Sequence, residues 1–168
     1  MSLILRTYQT RAISDLRIAY RQGARAPLLV LPTGAGKTVV FAEIVRAASE
    51  RGRRVLVLVH RRELILQASA KLQLAGVEHG IIAAGFDSSN NPVQVASVQT
   101  LVRRLPRIDW QPDLIVIDEA HHAAAGSTWA RIINHWPDAY RLGVTATPCR
   151  LDGRGLSDAF DHLVLGPS

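Results

Sequence analysis

Short apolar runs alternate with longer segments of helical periodicity along this chain. The runs lie at Pro27–Pro32, Val55–His60, Val93–Val98, Leu114–Asp118 and Arg141–Ala146. They lack a strict alternation of apolar and polar residues, which predicts strands that are covered on both faces. A weaker run, Gly80–Gly85, predicts another short strand.

Three segments carry apolar residues at helical spacing, and each ends on a glycine. They are Thr7–Gly23, Thr38–Gly52 and Arg62–Gly76. Strands and helices in this alternating order build a mainly parallel sheet with helices on both faces, so the predicted fold class is α/β. The longest predicted loop is Phe86–Pro92, which is rich in turn-forming residues.

Composition adds a preference for anionic partners. The 168 residues suit one domain of ordinary size, and the net charge of +6 favours a polyanion such as nucleic acid. A bias toward arginine and alanine can also reflect genomic composition. The single cysteine, Cys149, excludes an internal disulfide, and no apolar run reaches about 18 residues. A cytoplasmic protein without a membrane segment is expected.

The stretch LPTGAGKT, Leu31–Thr38, is the first candidate for chemistry, and it holds one of only two lysines in the chain. It follows a predicted strand and opens a predicted helix, as a phosphate-binding loop requires. Gly34 and Gly36 allow a tight bend, and successive amides form a nest for phosphate oxygens. Lys37 would reach the β and γ phosphates, and Thr38 would offer its hydroxyl to Mg²⁺.

Two points qualify this interpretation of the loop. The strict motif has glycine where this chain has Leu31, so a glycine-rich turn between a strand and a helix is the alternative. The second half of a site, however, follows in LIVIDEAHH. A carboxylate at the carboxyl end of a parallel strand faces the crevice where ligands bind. There Asp118 can hold Mg²⁺ and Glu119 can polarise an attacking water.

The motifs PTGAGKT, DEAH (Asp118–His121) and TATP (Thr145–Pro148) together resemble the first RecA-like domain of a superfamily 2 helicase. The branch is similar to the DEAD/DEAH proteins grouped with the res subunit of type III restriction enzymes. The resemblance covers nearly the whole chain, residues 1–168, as a single N-terminal RecA-like domain. It implies ATP and Mg²⁺ as cofactors and favours DNA over RNA as partner. A second RecA-like domain, absent from this chain, is expected in a longer parent.

The resemblance also assigns roles to individual residues. The segment LRTYQ places Gln9 on the adenine edge with Arg6 nearby, and His121 links the nucleotide site to Thr145 and Thr147. The segments VLVHRREL and ASVQTL are similar to those that touch a nucleic-acid backbone. The implied nucleotide-binding residues are Arg6, Gln9, Thr33, Gly34, Ala35, Gly36, Lys37 and Thr38; the implied nucleic-acid contacts are Arg62, Ser97, Gln99 and Thr100.

Alternatives stay open at this point. Ser97 or Thr100 could instead cap a helix entered at Leu101. A stand-alone P-loop enzyme, such as a small-molecule kinase, would explain PTGAGKT but not DEAH followed by TATP. A non-motor module with a vestigial loop conflicts with an intact Lys37, Thr38, Asp118 and Glu119 set.

We expect a monomer that binds ATP and barely hydrolyses it, because the arginine finger of a second domain is missing.

Overall fold

The computed structural model describes residues 3–120, 127–146 and 159–166, and within these ranges strands and helices alternate as expected. The strands are β1 (Pro27–Val30), β2 (Val55–Val59), β3 (Gly80–Ile82), β4 (Val93–Ser97), β5 (Leu114–Asp118), β6 (Tyr140–Thr145) and β7 (His162–Leu165). The helices are α1 (Thr7–Arg21), α2 (Lys37–Glu50), α3 (Arg62–Leu74), α4 (Val98–Arg104) and α5 (Ser127–His135), with a 3-10 turn at Leu105–Arg107.

All seven described strands form one parallel sheet in the order β3-β4-β2-β5-β6-β1-β7. The predicted α/β class with a parallel sheet is therefore confirmed. The order brings β1 next to β6, where Val30 pairs with Thr145, and β6 next to β5, where Val144 pairs with Asp118. Because the strands are parallel, their carboxyl ends lie at one edge of the sheet.

Each face of the sheet carries its own core. Helices α1, α2 and α3 cover one face, and α4 and α5 cover the other. Strand β2 shows why the sequence lacks alternation, because Val57 packs under the first set of helices and Leu56 and Leu58 pack under the second. A strand buried on both faces needs apolar residues at every position.

Two elements of the structure were not expected from the sequence, and one helix begins earlier than expected. Helix α5 and strand β7 were not predicted. Helix α4 begins at Val98, not at Leu101, so Thr100 lies inside the helix and cannot cap it. Ser97 occupies the N-cap position but makes no capping bond, since its hydroxyl donates to Gln99 Oε1 at 3.0 Å.

The tryptophans belong to the second core. Trp129 on α5 and Trp136 directly after that helix are both buried. Trp110 stacks on Trp136 with 5.7 Å between ring centroids. None of the helices in residues 3–120 and 127–146 has the length and apolar character of a membrane span.

Candidate functional site

The candidate site lies where the carboxyl ends of β1, β6 and β5 meet. The loop 31–36 leaves β1 and enters α2, Thr145 ends β6, and Asp118 ends β5. The pairing of β1 with β6 and of β6 with β5 sets these three ends side by side. The sheet thus joins two motifs that are far apart in the sequence.

The loop adopts a conformation that suits an anion. Gly34 and Gly36 have φ angles of +83° and +79°, which glycine tolerates far better than other residues. The first backbone hydrogen bond of α2 runs from Val40 N to the carbonyl of the N-cap residue, Gly36, at 3.1 Å. The preceding amides of the helix have no carbonyl within the helix and face the loop. This is the arrangement of donors that binds phosphate at a helix N-terminus.

Leu31 replaces the first glycine of the strict motif because its position belongs to the core. Its side chain is fully buried among the residues under α1 and α2. Its amide donates to Thr145 O at 2.9 Å, which extends the β1–β6 pairing by one residue. The tight bend begins only after it, at residues 32–36, where both glycines lie.

Helix α1 braces the loop through a single carbonyl group. Tyr8 Oη and Gln9 Nε2 both donate to Ala35 O, at 3.0 and 2.9 Å. Gln9 Oε1 accepts from Arg6 N at 2.8 Å, and the Gln9 side chain is almost fully buried. Each end of the Gln9 amide keeps one further bonding capacity. Sequence reasoning missed Tyr8, although it stands next to Gln9 in the segment LRTYQ.

Lys37 and Glu119 form an ion pair across the site. Lys37 Nζ lies 2.9 Å from Glu119 Oε1, and the side chains are 16% and 27% exposed. Glu119 has a φ of +51°, a conformation that is uncommon for a residue with a side chain. Glu119 follows directly after β5, and its side chain points toward Lys37. The sequence placed both residues in the site but did not indicate that they pair.

Asp118 is a buried carboxylate beside this pair. Its Oδ1 accepts from Glu119 N at 2.9 Å. Burial raises the pKa of Asp118 above its ordinary value, and the charge of Lys37 and the Glu119 amide oppose that shift only in part. A buried carboxylate with an unfavourable charge is a common feature of functional sites. A bound cation would favour its ionised form.

The residues present fit a magnesium ion. Asp118 offers a carboxylate oxygen, since within the described residues its Oδ2 has no hydrogen-bond partner, and Thr38 offers a hydroxyl on the first turn of α2. Mg²⁺ takes hard oxygen ligands and keeps several waters, so it needs only one or two protein groups besides phosphate oxygens. No cluster of three or more His, Cys, Asp or Glu side chains occurs in the described part of the chain.

The expected nucleic-acid contacts lie at the same edge of the sheet, on the neighbouring strands. Ser97 at the end of β4 pairs with Val59 at the end of β2, and Arg62 begins α3 shortly after β2. Arg62 is exposed, with its guanidinium 5.3 Å from the centroid of the Phe86 ring. Gln99 is exposed on the first turn of α4. The structure places these residues along one edge of the sheet, and their role stays a prediction.

Two expected site residues, His121 and Thr147, lie outside the described residues. Thr145 is fully buried at the end of β6, beside the phosphate loop. Thr33 is exposed on the loop, and Arg6 is exposed just before α1. The described members of the predicted nucleotide-binding set therefore occupy one crevice edge, with Gln9 and Ala35 bound to each other.

Comparison with protein families gives a match at this point. The family described as type III restriction enzyme, res subunit, matches residues 2–150. The chain belongs to this family. The match takes in the phosphate loop as well as Asp118 and Glu119, so the resemblance drawn from the sequence motifs is confirmed.

Individual relatives agree with the family. IRC3 of Saccharomyces cerevisiae, which is provisionally named an ATP-dependent helicase, is 37% identical over 181 residues that cover 96% of this chain. XPB2 of Sulfurisphaera tokodaii, named a DNA 3'-5' translocase, is 32% identical over 151 residues that cover 89% of this chain. The chain spans only 26% of the first relative and 32% of the second.

Solved structures confirm the fold. The UvsW helicase from bacteriophage T4 matches with a TM-score of 0.79 at 21% identity. The match covers 97% of this chain and 60% of the other. The described sheet and helices are thus a RecA-like domain.

Proposed function

We propose that this chain is the ATP-binding domain of a DNA-dependent helicase or translocase. The observation that carries the proposal is the meeting of the phosphate loop with Asp118 and Glu119 at the carboxyl ends of β1 and β5. Membership of the res-subunit family supports it. The alternative of a stand-alone small-molecule kinase is not favoured, because the family and the relatives are motor proteins and restriction subunits.

Each residue of the candidate site has a proposed role that follows from its position. The backbone amides of Gly34 to Thr38, at the end of the loop and the start of α2, bind phosphate oxygens, and Lys37 leaves Glu119 to bind the β and γ phosphates. Thr38 and Asp118 would hold Mg²⁺, and the ion would supply positive charge against the phosphates. Glu119, once released, orients the attacking water. His121, Thr145 and Thr147 are proposed to link this site to the nucleic acid, and Arg6 and Gln9 to recognise adenine.

DNA is the proposed polymer, contacted through Arg62, Ser97, Gln99 and Thr100. XPB2 is named as a DNA translocase, and the net charge of +6 suits a phosphate backbone. The proposal includes residues 1–168 as one domain that works with a second RecA-like domain. It also includes a cytoplasmic location and a monomeric state for the isolated chain.

Isothermal calorimetry with Mg²⁺ and ATP tests the nucleotide site. Lys37→Ala should lower ATP affinity by at least about tenfold, since each charge-assisted bond to phosphate contributes roughly 1.5–3 kcal/mol. Lys71→Ala, which removes the other lysine from the far end of α3, serves as the matched control. Equal affinity in wild type and Lys37→Ala would contradict the assignment.

A further inference from the structure

A groove of about 450 Å³ lies at the edge of the sheet opposite the candidate site. Its walls are the second halves of α1 and α2, and its end is formed by Leu114 and Tyr140, the first residues of β5 and β6. The floor is apolar, with Leu16, Ile44 and Ala47 among its residues. No role assigned so far uses this part of the molecule.

Four arginines surround the groove. They are Arg17 and Arg21 on α1, Arg51 at the end of α2, and Arg53 before β2. All four are exposed, and none forms an ion pair or hydrogen bond through its side chain with another described residue. By contrast, Arg46 on the same α2 helix is paired with both Glu43 and Glu50.

One acidic side chain is among the residues that line the groove. Asp113, which lines the groove, accepts a hydrogen bond from Arg54 N at 2.8 Å. Four guanidinium groups against one carboxylate leave the rim with an excess of positive charge beside an apolar floor. An occupant that matches both features needs acidic groups at its margins and apolar groups at its centre.

Nucleic acid matches only the first of these features. Its phosphates would pair with the arginines, but a sugar–phosphate backbone gains nothing from the aliphatic side chains of the floor. The two aromatic rings of the groove, Tyr20 and Tyr140, already contact each other, and Arg25 lies over the Tyr140 ring, so they do not offer free faces for bases. An acidic protein segment with leucine or phenylalanine side chains matches both, since the apolar anchors fill the floor while the carboxylates pair with guanidinium groups. The volume of the groove is also in the range of specific binding pockets, roughly 300–1,000 Å³.

We propose that the groove between α1 and α2 is a docking site for an acidic, amphipathic segment of a partner protein. The site is separate from the nucleotide crevice, because one lies at the amino ends of β5 and β6 and the other at their carboxyl ends. Docking there does not depend on the proposed function of the crevice.

A random peptide library displayed on phage is the probe. Selection against the full 168-residue chain should enrich peptides in which glutamate or aspartate flanks leucine or phenylalanine. An enriched peptide, synthesised with a fluorescent label, should bind the wild-type chain in anisotropy measurements. Arg17→Glu combined with Arg51→Glu should weaken that binding by about tenfold or more, because two attractive pairs become repulsive.

Two further variants separate the groove from general charge. Arg17→Glu alone should already weaken binding, whereas Arg11→Glu makes the same single charge change at an exposed position of α1 that does not line the groove, so it should leave the affinity nearly unchanged. Ala47→Phe fills the floor without altering charge and should abolish peptide binding. Circular dichroism confirms that each variant is folded.

Several results would overturn the proposal. One is a selection that enriches no acidic peptides, and another is peptide binding that Arg11→Glu weakens as much as Arg17→Glu. A third is a single-stranded oligonucleotide that displaces the peptide and loses affinity in Ala47→Phe. That result would assign the groove to nucleic acid.

Discussion

Replacement of Gly36 by alanine tests how helix α1 controls the phosphate loop. Gly36 has a φ of +79°, and a Cβ at this position would overlap Nε2 of Gln9. That amide cannot move aside without cost, because it is buried and donates to Ala35 O at 2.9 Å. Gly34 offers a matched control, since its φ is +83° and a Cβ there would meet nothing within 4 Å.

The magnitudes follow from these contacts. The left-handed conformation costs a residue with a Cβ about 1–2 kcal/mol, so Gly34→Ala should lower the free energy of unfolding by that amount. Gly36→Ala should cost the same strain plus the Gln9–Ala35 hydrogen bond, which contributes about 0.5–1.5 kcal/mol. The total for Gly36→Ala is then about 1.5–3.5 kcal/mol.

A double-mutant cycle isolates the contact with Gln9. In a Gln9→Ala background the new methyl group has room, so the extra cost of Gly36→Ala over Gly34→Ala should fall to about zero. Urea unfolding followed by circular dichroism measures all the variants. The reasoning fails if Gly36→Ala costs no more than Gly34→Ala, or if its extra cost persists without the Gln9 side chain.

Three further predictions concern charge and turnover. Asp118→Asn should raise the free energy of unfolding near pH 7, because burial raises the pKa of Asp118 and so makes its charge unfavourable in the folded chain. The gain should shrink as the pH falls through the raised pKa of the folded carboxyl and vanish below its ordinary value of 3.8, and a loss of stability near pH 7 would contradict the sign. DNA affinity should fall steeply with added salt, and Arg62→Ala should weaken it for every sequence, whereas salt-independent binding in filter assays would exclude phosphate contacts. The isolated chain should turn over ATP some 10³–10⁵-fold more slowly than a complete motor, because an arginine finger contributes about 4–7 kcal/mol to transition-state stabilisation. Turnover of several per second that is lost in Glu119→Gln would refute the need for a second domain.

The parts of the fold that sequence alone predicted are those with a local signal. Strand β2 could be located because Val55–Val59 is apolar at every position, which only burial on both faces explains. Helix α5 also had a signal that was overlooked, because Trp129, Ile132, Ile133 and Trp136 recur at helical spacing and are all buried. Strand β7 has only four residues at the sheet edge, too few to distinguish from a loop.

The candidate site likewise has a part that the sequence predicted and a part that it did not. The phosphate loop was recognisable because its glycines and Lys37 are neighbours in the sequence. The Lys37–Glu119 pair depends on the strand order β5-β6-β1 and on the φ of +51° at Glu119, and no short-range pattern encodes either. The bonds from Tyr8 and Gln9 to Ala35 likewise depend on where α1 packs against α2.

The place of β1 in the sheet has a consequence for how the chain acquires its structure. Within the described residues β1 pairs only with β6 and β7, so Leu28 finds its neighbours in Gly143 and Leu163. During synthesis the phosphate loop leaves the ribosome long before either of those strands exists. Pairings this distant in sequence slow folding, because a large loop must close before any contact forms. The proposed nucleotide-binding loop is thus synthesised among the first segments of the chain, while the strand that leads into it completes its sheet pairing among the last.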